Sequence, residues 1–135
     1  MEKSDLQKVI LSVNNDPAKQ DIIKMFLNRI DVVLIQAPSG KEALAVLRQE
    51  HVDLVLTALA MPEMSGLDLA KHLRNPEFYR QFRNSSPDLP IMAVSTTPLK
   101  KDKMLAYGID DRLLIPVNRE IFLERVTALL GDDHK

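Results

Sequence analysis

The chain has no cysteine among its 135 residues, which excludes disulfides, thiol chemistry and zinc–cysteine sites. Its net charge is only −1 and its pI is near 6.3, so overall charge gives no argument for binding nucleic acid or a membrane surface. No apolar run approaches the roughly 18 residues needed to span a bilayer. The opening segment Met1-Glu2-Lys3-Ser4-Asp5 is polar and lacks the apolar core of a signal peptide. These absences predict a cytoplasmic protein with no direct nucleic-acid or membrane contact.

Catalytic signatures are also missing. Gly40, Gly66, Gly108 and Gly131 each sit beside a helix end instead of forming a Gly-rich phosphate loop. There is no nucleophile elbow of the G-x-S-x-G type. His51, His72 and His134 are scattered, without an i, i+4 pair or an acidic cluster at metal-ligand spacing. They read as surface histidines. Neither a metal site nor an enzymatic activity is expected.

What is present is ordinary for a globular protein, 45% hydrophobic and 27% charged. The length fits one domain over 1–135, with a core of about 8–131 and short polar tails. Val9 to Val13, Val32 to Ile35, Asp53 to Ala58, Ile91 to Ser95 and Leu113 to Ile115 read as five apolar strands. Helices alternate with them. Asp16-Pro17 supplies a cap and a first-turn proline. Ile22, Ile23, Phe26, Leu27 and Ile30 follow as an apolar stripe. Ser39 to Glu42 reads as a capping box, with Ala43, Leu44 and Leu47 as the buried side of the second helix.

A third helix from Ser65 or Gly66 carries Leu67, Leu69, Ala70 and Leu73, is interrupted at Asn75-Pro76, and precedes a short helix within Glu77 to Arg83. Pro98 or Leu99 opens the helix after the fourth strand, which stops at Gly108. Asn118 caps the last helix, with Ile121, Phe122, Val126 and Leu129 as its apolar positions. Strands separated by such helices pair in parallel through right-handed crossovers. The expected class is α/β, a doubly wound open five-stranded parallel sheet with helices on both faces.

Asp53 to Gly66 reads D-L-V-L-T-A-L-A-M-P-E-M-S-G. This stretch resembles the phospho-acceptor segment of response-regulator receiver domains, DLVLxDxxMPxMxG. The resemblance extends from about Val9 to Leu130 and implies strand order 2-1-3-4-5. It also implies site positions. The acceptor aspartate of the family falls on Ala58, and the two acidic magnesium ligands fall on Asn14 and Asn15. The switch hydroxyl is kept as Ser95. The lysine of the K-P motif falls on Ile115, before Pro116, and the aromatic switch position falls on Arg112.

Each replacement removes a chemical role. Magnesium prefers hard oxygen ligands, usually with one or two carboxylates, so magnesium binding is not expected and no cofactor is assigned. Phosphoryl transfer needs an oxyanion nucleophile and a cation to neutralise developing charge. The methyl group of Ala58 and the sec-butyl group of Ile115 offer neither. The losses agree with one another, because a carboxylate cluster without metal repels itself and a lysine without its acids lacks a partner. The resemblance therefore implies a degenerate receiver that works by phosphorylation-independent protein binding.

Other readings stay open at this point. Thr57 or Glu63 could serve as a displaced acceptor, although strand alternation turns Thr57 to the opposite face. The vacated pocket could hold a small-molecule ligand. An enzyme of flavodoxin type shares this architecture, since fold does not fix function. Ser95 before Thr96-Thr97-Pro98 is also ordinary turn chemistry, and Asn14 and Asn15 could simply cap a loop.

For partners, the resemblance implies a protein of a bacterial-type signalling pathway: a histidine kinase, a response regulator or an effector. The family's usual docking and dimerisation surface is the fourth major helix, the fifth strand and the last helix. Here it carries Lys100, Lys101, Lys103, Tyr107, Arg112 and Arg119, which suits an acidic partner or a homodimer; a solvated helix face gives the same pattern. Arg74, Arg80 and Arg83 with Phe78, Tyr79 and Phe82 form a second basic and aromatic segment, or a loop pinned to the body. Met61 and Met64 could form a contact surface, or pack into their loop.

Overall fold

The computed structural model describes residues 7–84 and 86–131. Met1 to Asp5 and His134 lie outside the described residues. Five strands, β1 (Lys8–Val13), β2 (Val32–Ala37), β3 (Leu54–Thr57), β4 (Ile91–Ser95) and β5 (Asp111–Leu114), alternate with helices α1 (Pro17–Leu27), α2 (Gly40–Gln49), α3 (Gly66–Arg74), α4 (Pro76–Tyr79), α5 (Lys101–Ala106) and α6 (Arg119–Leu129). All pairings are parallel, in the order β2-β1-β3-β4-β5.

Side-chain alternation along the strands divides the interior in two. Val9, Leu11, Val13, Val55, Ile91 and Ala93 pack with Leu44 and Leu47 of α2, Leu69 and Leu73 of α3 and Met104 of α5. Ile10, Leu54, Leu56, Met92 and Val94 pack on the other face with Ile23 and Leu27 of α1 and Phe122 and Val126 of α6. Phe122 is wholly buried and its ring lies 5.3 Å from that of Phe26, a tilted pair that joins α6 to α1. Burial of each such side chain stabilises by about 1.5–3 kcal/mol.

The helix starts follow their caps. Asp16 Oδ1 accepts from the Ala18 N–H at 3.0 Å, and Pro17 opens α1. Ser39 Oγ accepts from the Glu42 N–H. The fully reciprocal capping box forms one helix later, between Ser65 and Asp68. Asn118 Oδ1 accepts from the Ile121 N–H.

Four sequence expectations need correction. Ile22 and Ile121 are not in the core: they are 49% and 41% exposed. On α1 the buried position goes to Gln20, whose Nε2 donates to the carbonyls of Ser12, Asn14 and Ala37 while its Oε1 accepts from Ser12 Oγ. A satisfied amide can replace an apolar side chain there because it closes the carboxyl ends of β1 and β2. β5 begins at Asp111, two residues before the apolar run, because Asp111 sits in an edge strand where it pairs with Arg125 at 2.8 Å. The helix expected from Pro98 or Leu99 begins at Lys101, since Ser95 Oγ first accepts from the Thr97 N–H and holds a turn. β2 runs on through Gln36 and Ala37, paired with Ser12 and Val13.

The segment after α3 is pinned to the body. Phe82 is buried, Phe78 and Tyr79 pack against the core, and the Arg83 N–H donates to the Leu47 carbonyl. Arg74 is committed to the carbonyls of Gly108 and Pro87 and to Asp110, so it does not belong to a free basic patch. Gly108 has φ +74°, which ends α5 in the left-handed region that glycine tolerates. Met61 and Met64 also pack against the core.

Candidate functional site

In an open α/β sheet the crevice beyond the carboxyl ends of the strands is the place for ligands. Asn14 follows β1, Ala58 follows β3, Ser95 closes β4 and Ile115 follows β5. The structure brings Asn14, Asn15, Ala58, Ser95 and Ile115 to one cavity of 240 Å³, which Asp16, Lys19, Ala60, Val94 and Thr96 complete.

Backbone bonds fix these positions. The Asn14 N–H donates to the Ala37 carbonyl, that of Ala58 to Val13 and that of Ile115 to Ser95. Gly66 holds the floor of the loop after β3: its N–H donates to the Leu59 carbonyl at 2.8 Å. A Cβ at this position would sit 2.1 Å from the Ala58 carbonyl oxygen, so only glycine allows α3 to begin this close to the end of β3.

Asn14 is 8% exposed, and its Oδ1 accepts from the Asp16 N–H at 2.9 Å. Asn15 is exposed. Ala58 presents a methyl group where β3 ends. The neighbouring Thr57 hydroxyl is buried and donates to the Ala58 carbonyl at 2.8 Å. Glu63 is exposed on the loop, at φ +70°. Asp16 is the one carboxylate among the residues lining the cavity. Its Oδ1 caps α1, and its Oδ2 faces Lys19 Nζ at 3.5 Å. Among the described residues no group of three or more His, Asp or Glu is placed to hold a metal ion.

In the sequence Asp16 reads as a helix cap, and no motif marks Lys19 as a cavity residue. The available signal was its place in the first turn of the helix that leaves β1, three residues after the cap.

Arg112 belongs to a second cavity of 200 Å³, which it shares with Ser95, Leu99 and Leu114. Its Nη1 meets Met104 Sδ at 3.5 Å. On the outer side of α5 and β5, Lys100, Lys101 and Lys103 are exposed, as are Leu105 and Leu114 at 60% and 55%. Tyr107 is half-buried, with Lys71 Nζ 6.0 Å from its ring centroid. Arg119 is half-buried in the first turn of α6. The lysines stand at the start of α5, and Tyr107 follows its end.

His51 pairs with Asp53 and His72 packs on Phe78, 4.4 Å between ring centroids. Both have structural partners, and neither lines the cavity.

A parallel sheet in this order, with loops converging at the ends of β1, β3, β4 and β5, is the doubly wound architecture that receivers share with other α/β proteins. Residues 10–127 match the response regulator receiver domain family, and the chain belongs to it. The chain is 31% identical over 127 residues to the response regulator GtcR of Aneurinibacillus migulanus, covering 93% of this chain but 48% of that relative. It is 26% identical over 129 residues to the polar-differentiation response regulator DivK of Brucella ovis, covering 94% and 99%. Among solved structures it matches a chain in the co-crystal of the Saccharomyces cerevisiae histidine phosphotransfer protein Ypd1 with the receiver domain of its downstream response regulator Ssk1. That match has a TM-score of 0.79 at 25% identity, covering 96% of this chain and 92% of the other. The protein is thus a receiver domain of two-component signalling. No helix among the described residues is long and apolar enough to cross a membrane.

Proposed function

We propose that this receiver acts in two-component signalling as a protein-interaction module that needs no phosphorylation. One observation carries the reading: β3 is followed directly by the methyl group of Ala58, at the carboxyl end of the sheet where the family's acceptor carboxylate falls. The cavity around it also lacks the remaining chemistry. Asn14 Oδ1 is committed to a backbone N–H, Ile115 is apolar, and Asp16 is already engaged by Ala18 and Lys19. That donor set does not fit a magnesium ion, which needs several free oxygen ligands in near-octahedral array. Displaced acceptors are poorly supported. The Thr57 hydroxyl is buried and bonded, and among the described residues Glu63 has no ion-pair partner and belongs to no metal-holding group.

The contact surface proposed is the outer side of α5 and β5. Arg112 has a thioether as its side-chain contact and no carboxylate partner among the described residues. Exposed Leu105 and Leu114 lie on the same elements, so the face suits an acidic segment with apolar anchors. A kinase, phosphotransfer protein or effector in the cytoplasm fits this chemistry, as does a second copy of the chain. Partner recovery with and without acetyl phosphate and magnesium is the test. Equal recovery in both, lost when Lys100, Lys101 and Lys103 are changed to Glu, is expected. Recovery that requires the phosphodonor would reject the proposal.

A further inference from the structure

A third cavity, of 350 Å³, opens between α1 and the loop that joins β5 to α6. Lys19, Ile22, Ile23 and Phe26 recur at i, i+3, i+4 and i+7, so one stripe of α1 faces it along two turns. Ile115 and Val117 of the loop line it too, with Phe122 of α6. Ile22 is 49% exposed here, and Met25 beside it on α1 is 68% exposed, so apolar surface meets solvent at the cavity mouth. Ile115 stands where the family resemblance implies a lysine, which leaves this wall uncharged. Lys19 and Thr96 are the polar side chains of the lining, and no carboxylate belongs to it. Both also line the 240 Å³ cavity, so they stand at the end where the two spaces meet. An ammonium group has three donors. Asp16 Oδ2 engages that of Lys19 at 3.5 Å from the other cavity, which leaves donors for a second acceptor.

We propose that this cavity binds a small amphipathic acid, with its apolar chain or ring between α1 and the β5–α6 loop and its carboxylate on Lys19. The volume falls within the roughly 300–1,000 Å³ of small-molecule sites, and an apolar lining with few polar groups at one end is their usual chemistry. Charge complementarity selects an anion, because Lys19 is the one charged residue of the lining. A single leucine or phenylalanine from a protein partner would leave much of the space open. The ligand joins α1 to α6 alongside the Phe26–Phe122 ring pair, so its binding stabilises the folded chain by mass action. None of this depends on whether the chain takes a phosphoryl group.

Methyl NMR of the full chain tests this, with octanoate, octan-1-ol and octylammonium as probes below micelle formation and at matched ionic strength. Saturable shifts of the Ile22, Ile23, Ile115 and Val117 methyls are expected with octanoate. Butyrate should bind more than about tenfold more weakly, since its shorter chain buries fewer methylenes. Lys19→Gln should weaken octanoate about fivefold, the loss of a part-exposed charge pair, while leaving octan-1-ol unchanged and tightening octylammonium. Ile22→Glu, at an exposed helix position, should abolish octanoate binding with little change in the urea midpoint. No saturable shift with octanoate overturns the proposal. So does octylammonium binding as tightly as octanoate, octanoate affinity unchanged in Lys19→Gln, or shifts centred on Leu105 and Leu114 instead. Methyl shifts that follow protein concentration and are untouched by octanoate would give the groove to a second copy, and overturn it as well.

Discussion

The interior of the sheet and its carboxyl-end rim obey different rules in this protein. In the interior, strand alternation assigns Leu54, Leu56, Met92 and Val94 to one face and Val55, Ile91 and Ala93 to the other, and each face is closed by helices. At the rim, Asn14, Ala58 and Ile115 stand where the family resemblance implies acids and a lysine, yet they are held by the same backbone bonds to Ala37, Val13 and Ser95. Burial and backbone pairing hold the sheet, and the bonds that fix these three rim positions run through their main chains. Gly66 is the exception that connects the two regions, since its missing Cβ both starts α3 and sets the end of β3.

The contrast can be broken most strongly from within. Phe122→Ala removes a wholly buried ring between α6, the sheet and Phe26, and should lower stability by about 3–5 kcal/mol in urea unfolding. Gln20→Ala strikes the boundary, because Ser12 Oγ and the Asn14 carbonyl lose their partner together. A loss of about 1–3 kcal/mol is expected, with amide exchange quickening first at the ends of β1 and β2. Asn118→Ala removes one cap from α6 and should cost about 1 kcal/mol by the same unfolding measurement. Changing Lys100, Lys101 and Lys103 to Glu alters exposed residues, so stability should move by no more than about 0.5 kcal/mol while partner recovery falls. A large stability change from this last variant would mean that the face belongs to the fold and not to a partner.

The interior was the legible part. Asp53 to Ala58 reads as a buried strand because a parallel sheet covers both faces, and its central Leu54 to Thr57 form β3; Asp16-Pro17, Ser39 and Asn118 announce helix starts by cap chemistry. Periodicity was misleading wherever a polar residue held an interior place or an apolar one faced out. Gln20 is buried by hydrogen bonds that no pattern displays, and Ile22 continues an apolar stripe yet lies against solvent. Asp111 hid the start of β5 because its charge is answered by Arg125, fourteen positions away. At the rim, the resemblance pointed to Asn14, Asn15, Ala58, Ser95 and Ile115, and the fold gathers them around one cavity. Lys19 escaped notice because its position there depends on the angle at which α1 leaves β1. That angle is set by the Gln20 contacts, which are tertiary.

The measurement that bears most directly on the difference between interior and rim is intact mass after incubation of the native chain with acetyl phosphate and magnesium. The unmodified mass alone is the expected result, with no adduct released by hydroxylamine. A stoichiometric, hydroxylamine-labile phosphoryl adduct would contradict it, and would place a working acceptor in a cavity whose wall at β3 ends in a methyl group.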